Sequence, residues 1–188
     1  MKLNAKQLRV TKPSEKELAR IERKPIYIVL DNVLDTYNIG SIFRLADAVA
    51  AREIILCGGS ETPPSSRIHK AAVGTEEWVP WQYAADAATA ISKLKTLNPK
   101  IKIIAVEQDE RSMPLSHLTP TPLQNFGEGN GRDEVAVAVV VGHETEGVSR
   151  QVLEMADVIV EIPMWGVNKS LNVVVSTGIV LYMVVELI

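Results

Sequence analysis

Apolar residues in this chain fall in short continuous runs separated by amphipathic stretches. Ile26–Leu30, Glu53–Cys57, Ile101–Val106, Val135–Val141 and Val158–Ile162 are such runs, apolar but for Glu53, Lys102 and Glu161 and bounded by turn-type residues. Each predicts a strand buried on both faces. Between them the spacing changes. From Asn38 onward, Ile39, Ile42, Phe43, Ala46 and Val49 recur at helical intervals, with Asn38 suited to the N-cap. Ala84–Leu97, with Pro99 just beyond, and Ser149–Met155 are two more helices. Ser14-Glu15-Lys16-Glu17 has the form of a capping box and predicts a helix running to about Arg23, stopped by Pro25. Glu77–Trp81 is read as a further short strand, and Gly58–Ser66 as a loop. Strands alternating with helices predict an α/β fold: a mostly parallel sheet with helices on both faces.

Two segments resist the simple pattern. Between Glu107 and Asp133 lie three prolines and three glycines, which predicts a long loop, mobile from Thr119 onward. Leu171–Ile188 contains Val173-Val174-Val175, which favours a strand. Its length of about eighteen residues favours a helix instead, one deeply buried because Val-rich helices need packing to hold them. Ser170 is placed to cap it. Asn172, Ser176, Thr177, Gly178 and Glu186 interrupt the segment and no basic flank follows, so a core helix is expected and not a membrane span.

Composition adds limits. The chain has 188 residues with 46% hydrophobic content, enough for one core. The expected organisation is a basic arm over residues 1–25 and one domain over 26–188. Cys57 is the single cysteine, so there is no internal disulfide, and a Cys-based metal site is not expected. A reducing cytoplasmic location fits. The amino end has no apolar stretch of the signal-peptide kind. The net charge of −3 hides an asymmetry: residues 1–25 hold eight Lys/Arg against three Glu, a balance of +5, and the remainder carries −8. An arm with Arg9 and Lys12 on an acidic body can hold a polyanion. On charge alone, a solvated amphipathic helix is the simpler reading.

Candidate chemistry lies at three strand-to-loop junctions, where open α/β sheets bind ligands. The first is Asn38-Ile39-Gly40-Ser41-Ile42-Phe43-Arg44, in which Gly40 permits close approach and Arg44, taken alone, is a surface ion-pair residue. The second is Gly142-His143-Glu144-Thr145-Glu146-Gly147-Val148-Ser149, which lacks a P-loop ending, a dinucleotide fingerprint and a nucleophile elbow. Its two glutamates suit a metal or an acid/base pair as well as a plain turn. The third is Pro163–Asn172, with Met164, Trp165 and Leu171 as apolar surface.

Taken in order, these clusters resemble the three motifs of the SpoU/TrmH branch of the SPOUT RNA methyltransferases. Motif one is similar to Asn38-Ile39-Gly40 followed by Arg44. Motif two is similar to Val139-Val140-Val141-Gly142-His143-Glu144 and on to Gly147. Motif three is similar to Ile162-Pro163-Met164, Gly166 and Ser170-Leu171-Asn172. Thr62-Pro63-Pro64, Ile68-His69-Lys70 and Gly74 resemble an intermediate family feature. The resemblance covers about Ile26 to the C-terminus. It implies a C-terminal trefoil knot and methylation of a ribose 2′-hydroxyl of tRNA or rRNA with S-adenosylmethionine and no metal. It implies that Val141, Gly142, His143, Glu144, Gly147, Ile162, Met164, Ser170 and Leu171 bind the methyl donor. Arg44, Asn38, Glu144, Ser170 and Asn172 are the implied catalytic set. Arg44 is too basic to act readily as a free base and better suits binding phosphate and stabilising a developing alkoxide. RNA contacts are expected from Arg44, Lys70, Arg9 and Lys12, with a homodimer built on the last helix through Val180, Met183, Val184 or Leu187. Asp35-Thr36-Tyr37 departs from the His-Pro or Asn-Pro of many relatives, and no appended RNA-binding domain is evident beyond the arm. Two rival readings remain at this point: a catalytically silent RNA-binding relative, and a nucleotide-dependent oxidoreductase, which the missing G-x-G-x-x-G disfavours.

Overall fold

A computed structural model describes residues 12–119 and 135–188. Seven strands form one sheet: β1 (Lys24–Asp31), β2 (Ala51–Cys57), β3 (Trp81–Ala84), β4 (Lys102–Val106), β5 (Met113–Pro114), β6 (Val137–Gly142) and β7 (Val158–Glu161). They lie in the order β3-β2-β1-β6-β4-β7-β5, and every pairing is parallel. The helices are α1 (Glu15–Leu18), α2 (Thr36–Ala48), α3 (Ser66–Ala72), α4 (Ala87–Leu97), α5 (Arg150–Met155) and α6 (Val173–Leu187).

The central strands are apolar along their middles because they are covered twice, with Lys24, Asp31 and Lys102 at their ends. Ile28, Leu30, Val139 and Val141 face one core with Ile39, Ile42 and Phe43 of α2, Ile68 of α3 and Val180, Leu181 and Val184 of α6. Val29, Ala138 and Val140 face the other, with Ile91 and Leu94 of α4 and Val152 of α5. The Cys57 thiol belongs to this second core. Burial first, then Asp31 and Asp86, push it up to about 12, so it is an inert packing group. Helix α6 returns from β7 to pack on α2, β6 and β4, a path compatible with the expected knot. Among the described residues no helix is long and apolar enough to cross a membrane.

Several expectations need correction. The capping box forms, with Ser14 and Glu17 each bonded to the other's backbone N–H, but α1 ends at Leu18 and does not reach Arg23. Pairing with β2 claims the chain from Lys24 on. Pro25 enters β1 at a register break between Lys24 and Tyr27, where its missing N–H interrupts the ladder least. The short strand lies at Trp81–Ala84, and Thr75–Glu77 is instead a 3₁₀ turn. Asp35, not Asn38, caps α2 by accepting from the N–H groups of Tyr37 and Asn38. Asn172, not Ser170, caps α6 by accepting from Val174 N–H.

Helix α6 is not deeply buried all round. Thr177, Val180, Leu181 and Val184 form its inner stripe, while Val175, Ile179 and Tyr182 are exposed. Val180 and Val184 therefore belong to the chain's own core and are not free for an interface. The predicted long loop contains β5 and a 3₁₀ turn, Leu115–His117. Most of the stretch expected to be mobile, residues 120–134, lies outside the described residues.

Candidate active site

A cleft of about 450 Å³ opens at the C-terminal ends of β6, β4 and β7. Small-molecule sites commonly occupy several hundred cubic ångströms, and this edge of a parallel sheet is where they form. Val141, Gly142, His143, Glu144, Gly147, Ile162, Met164, Ser170, Leu171 and Asn172 all line it. So does Glu146, the second glutamate of the same cluster, together with Val106, Glu107, Gln108 and Ser176, which the candidate chemistry did not include.

The loop after β6 folds back as a tight bridge. His143 N–H donates to Gly147 O at 3.0 Å, and Gly147 N–H returns to His143 O at 2.9 Å. A Cβ on Gly142 would stand 2.1 Å from the Gly147 backbone, so only glycine allows this closure. Gly147 has φ +73, and a Cβ there would also meet the Glu107 carboxylate. His143 Nδ1 accepts from the N–H groups of Thr145 and Glu146, which leaves Nε2 to carry the proton in the neutral ring.

The neighbouring strands grip this loop. Glu107, just past β4, accepts from Val148 N–H at 2.7 Å. Asp31, the last residue of β1, accepts from Ser149 N–H at 2.8 Å. The Gln108 side chain donates to the backbone oxygen of Lys169, joining the loop after β4 to the loop after β7. A polar residue directly ending an apolar strand run was the available signal for Asp31 and Glu107.

Asn38 links all three clusters. Its Nδ2 donates to Glu144 Oε1 at 3.0 Å, and its Oδ1 accepts from Asn172 Nδ2 at 3.2 Å. Glu144 also accepts from the N–H groups of Leu34 and Asp35. Burial pushes the Glu144 carboxyl up, but the bonds from Asn38 and from these backbone groups outweigh it and hold it below the ordinary glutamate value.

The cations lie apart from the cleft lining. Arg44 is exposed on α2 and makes no hydrogen bond or ion pair with the described residues, so its reading as a surface ion-pair residue is not realised. Lys70 is exposed on α3. Lys12 pairs with Glu77. Arg9 lies outside the described residues. Gly40 allows close approach, but to α3: a Cβ would lie 2.5 Å from Ile68 O. Trp165 is 92% exposed, so motif three presents its indole outward.

Residues 25–182 match the model of the SpoU rRNA methylase family. The chain belongs to that family. Similar SpoU relatives include the 23S rRNA (guanosine-2′-O-)-methyltransferase RlmB of Burkholderia sp, 32% identical over 88% of this chain and 60% of that protein. The RlmB of Haemophilus influenzae is 30% identical over 90% of this chain and 63% of its own length. The chain thus spans about 60% of the length of these relatives. Among solved SpoU structures, the TrmH/SpoU tRNA modifying enzyme of A. aeolicus superposes with a TM-score of 0.73 at 26% identity, covering 97% of this chain and 81% of that one. The AdoMet-bound rRNA methyltransferase of Sinorhizobium meliloti gives 0.71 at 26% identity, over 94% of this chain and 58% of that one.

Proposed function

We propose that this chain transfers a methyl group from S-adenosylmethionine to a ribose 2′-hydroxyl of tRNA or rRNA, acting as a homodimer in the cytoplasm. The observation that carries the reading is the Glu144–Asn38–Asn172 chain of hydrogen bonds beside a single cleft. It ties together the three segments that define the family. Membership of the SpoU family and relatives named as 2′-O-methyltransferases support the chemistry.

The cleft fits the donor. Its volume suits a nucleoside with a side chain, and its wall offers both backbone groups and apolar side chains. Gly142, His143 and Gly147 present main chain, while Val141, Ile162, Met164 and Leu171 offer apolar contact. S-adenosylmethionine supplies an electrophilic methyl group on a sulfonium, so the protein's task is alignment and not covalent catalysis. Glu144, Asn38, Ser170 and Asn172 hold the loops and the entering ribose in place. Arg44, exposed on α2, binds RNA phosphate and stabilises negative charge developing on the 2′-oxygen. Lys70 and the arm residues Arg9 and Lys12 add phosphate contacts.

The exposed stripe Val175, Ile179 and Tyr182 on α6 supports the homodimer, because an apolar helix face of this kind is normally covered. Residues 1–25 act as the basic arm and 26–188 as the methyltransferase domain. Incubating the protein with labelled S-adenosylmethionine and bulk bacterial RNA, then digesting to nucleosides, tests the activity. Label should appear in 2′-O-methylribose. Label only in a base, or none with folded protein and intact RNA, refutes the reading.

A further inference from the structure

Away from the cleft, the end of α3 and the turn after it build a compact cluster of different chemistry. Val73 and Gly74 both adopt left-handed backbone, with φ +57 and +91. That reverses the chain and lays the 3₁₀ turn Thr75–Glu77 beside the last turn of α3. The reversal is held by Thr75 Oγ1, which donates to Ala72 O at 2.9 Å. It brings His69 Nδ1 to 2.5 Å from Glu76 Oε1. One ligating atom each from His69, Glu76 and Glu77 lies within 4.8 Å of the others.

A second observation points to a cation. The Glu76 side chain is only 7% exposed, and its other oxygen, Oε2, is enclosed with no hydrogen-bond partner among the described residues. Burying a carboxylate with one oxygen unsatisfied is costly, and a cation relieves that cost more fully than a single imidazole can. Glu77 already attracts a cation, since Lys12 reaches it.

We propose that His69, Glu76 and Glu77 form a binding site for a borderline divalent transition ion such as Zn²⁺, separate from the methyl-transfer cleft. One imidazole nitrogen with two carboxylate oxygens suits such an ion, whereas Mg²⁺ and Ca²⁺ prefer oxygen alone. The ion takes the place of the proton between His69 and Glu76. Tetrahedral ligands at zinc distances stand about 3.3 Å apart, so His69 must move outward slightly. Its side chain is 61% exposed and can do so. The same ion displaces Lys12 from Glu77. Its role is to lock α3, which packs on α2 through Gly40, against its following turn. The ion site is independent of the methyl-transfer reading.

The test uses the full chain, stripped with a chelator and titrated with Zn²⁺ against a chromophoric competitor. One equivalent should bind, and it should raise the melting temperature. His69→Ala and Glu77→Gln change exposed side chains and should leave the fold intact. Each should weaken Zn²⁺ binding by more than the roughly 10–100-fold typical of losing an outer-shell partner, and abolish the thermal shift. Glu76→Gln should do the same. His117→Ala, on an exposed turn elsewhere, should retain the site. Absence of stoichiometric uptake, wild-type uptake by His69→Ala and Glu77→Gln, or loss of uptake in His117→Ala would each overturn the proposal. S-adenosylmethionine binding by the metal-free protein is measured in parallel, which separates failure here from failure at the cleft.

Discussion

Replacing Asn38 with alanine removes a side chain that hydrogen-bonds to both Glu144 and Asn172. The residue is 9% exposed, so water does not readily take over its bonds. The bond to Glu144, 3.0 Å and charge-assisted, is worth about 1.5–3 kcal/mol. The bond from Asn172, 3.2 Å between neutral amides, is worth about 0.5–1.5 kcal/mol. Asp35 still caps α2, and Glu144 keeps two backbone donors, so the helix and the loop should survive. The expected loss is therefore about 2–4.5 kcal/mol, read by urea denaturation. If about 1.4 kcal/mol of that order is needed to shape the cleft, the dissociation constant for S-adenosylmethionine rises roughly tenfold by calorimetry. A double-mutant cycle with Glu144→Gln should give a coupling of about 1–2 kcal/mol, because the two side chains are in direct contact. A loss below about 0.5 kcal/mol with unchanged donor affinity would show that Asn38 is a passive surface amide and would remove the central support for the site.

The other expectations concern charge and assembly. Because Glu144 is held below its ordinary value, its stabilising contribution is complete above the unfolded value of about 4.3 and is lost as pH falls through the lower folded value; Glu144→Gln should flatten the acid limb of stability between those points, and an unchanged acid limb would contradict the network. Arg44→Ala should nearly abolish methyl transfer while leaving donor binding intact, and Arg44→Lys should rescue poorly because a point charge does not copy a planar fork; normal turnover in the alanine variant would remove the assigned role. Ile179→Asp with Tyr182→Asp should yield monomers by light scattering with RNA methylation lost, and an active wild-type monomer at micromolar concentration would refute the interface. Deleting residues 1–11, which carry Lys2, Lys6 and Arg9, should flatten the salt dependence of RNA binding by about one unit of slope for each phosphate no longer neutralised, and equal slopes would show that this part of the arm does not touch RNA.

The apolar runs of β1, β2, β4, β6 and β7 were legible because both faces of these strands are buried along their middles, so that Arg52, Glu53, Lys102 and Glu161 fall at or near strand ends. Helix α6 was legible by length, despite three successive valines. Helix α3 was not: it buries only Ile68 and Ala72, and its surroundings of Gly, Pro and Ser suggest a loop. The caps failed for a reason that is not local. Asp35 and Asn38 both suit an N-cap, and what separates them is Glu144, more than a hundred residues away, which draws Asn38 into the site. Asn172 serves both ends at once: its Oδ1 caps α6 in place of Ser170 while its Nδ2 donates to Asn38. The motif residues that line the cleft could be named from the family pattern. Asp31 and Glu107 carry only the generic signal of a polar residue ending an apolar run, because their partners depend on which strands become neighbours.

That strand order explains how the cleft is held. β6 lies between β1 and β4, so the loop leaving it is flanked by the ends of both. Each flanking strand ends in or next to a carboxylate, and the two accept from consecutive backbone N–H groups, Val148 to Glu107 and Ser149 to Asp31. Glu144 acts in the opposite direction, reaching from this loop to the backbone between β1 and α2. Three acids thus replace the ladder hydrogen bonds that stop where the sheet stops. A carboxylate can accept several N–H groups at once and needs no fixed side-chain donor, so it suits main chain that has left regular structure. Asn38 and Asn172, which both donate and accept, then join this acid-held loop to α6. The sheet sets the neighbours, the acids hold the loops, and the two amides set the register between them.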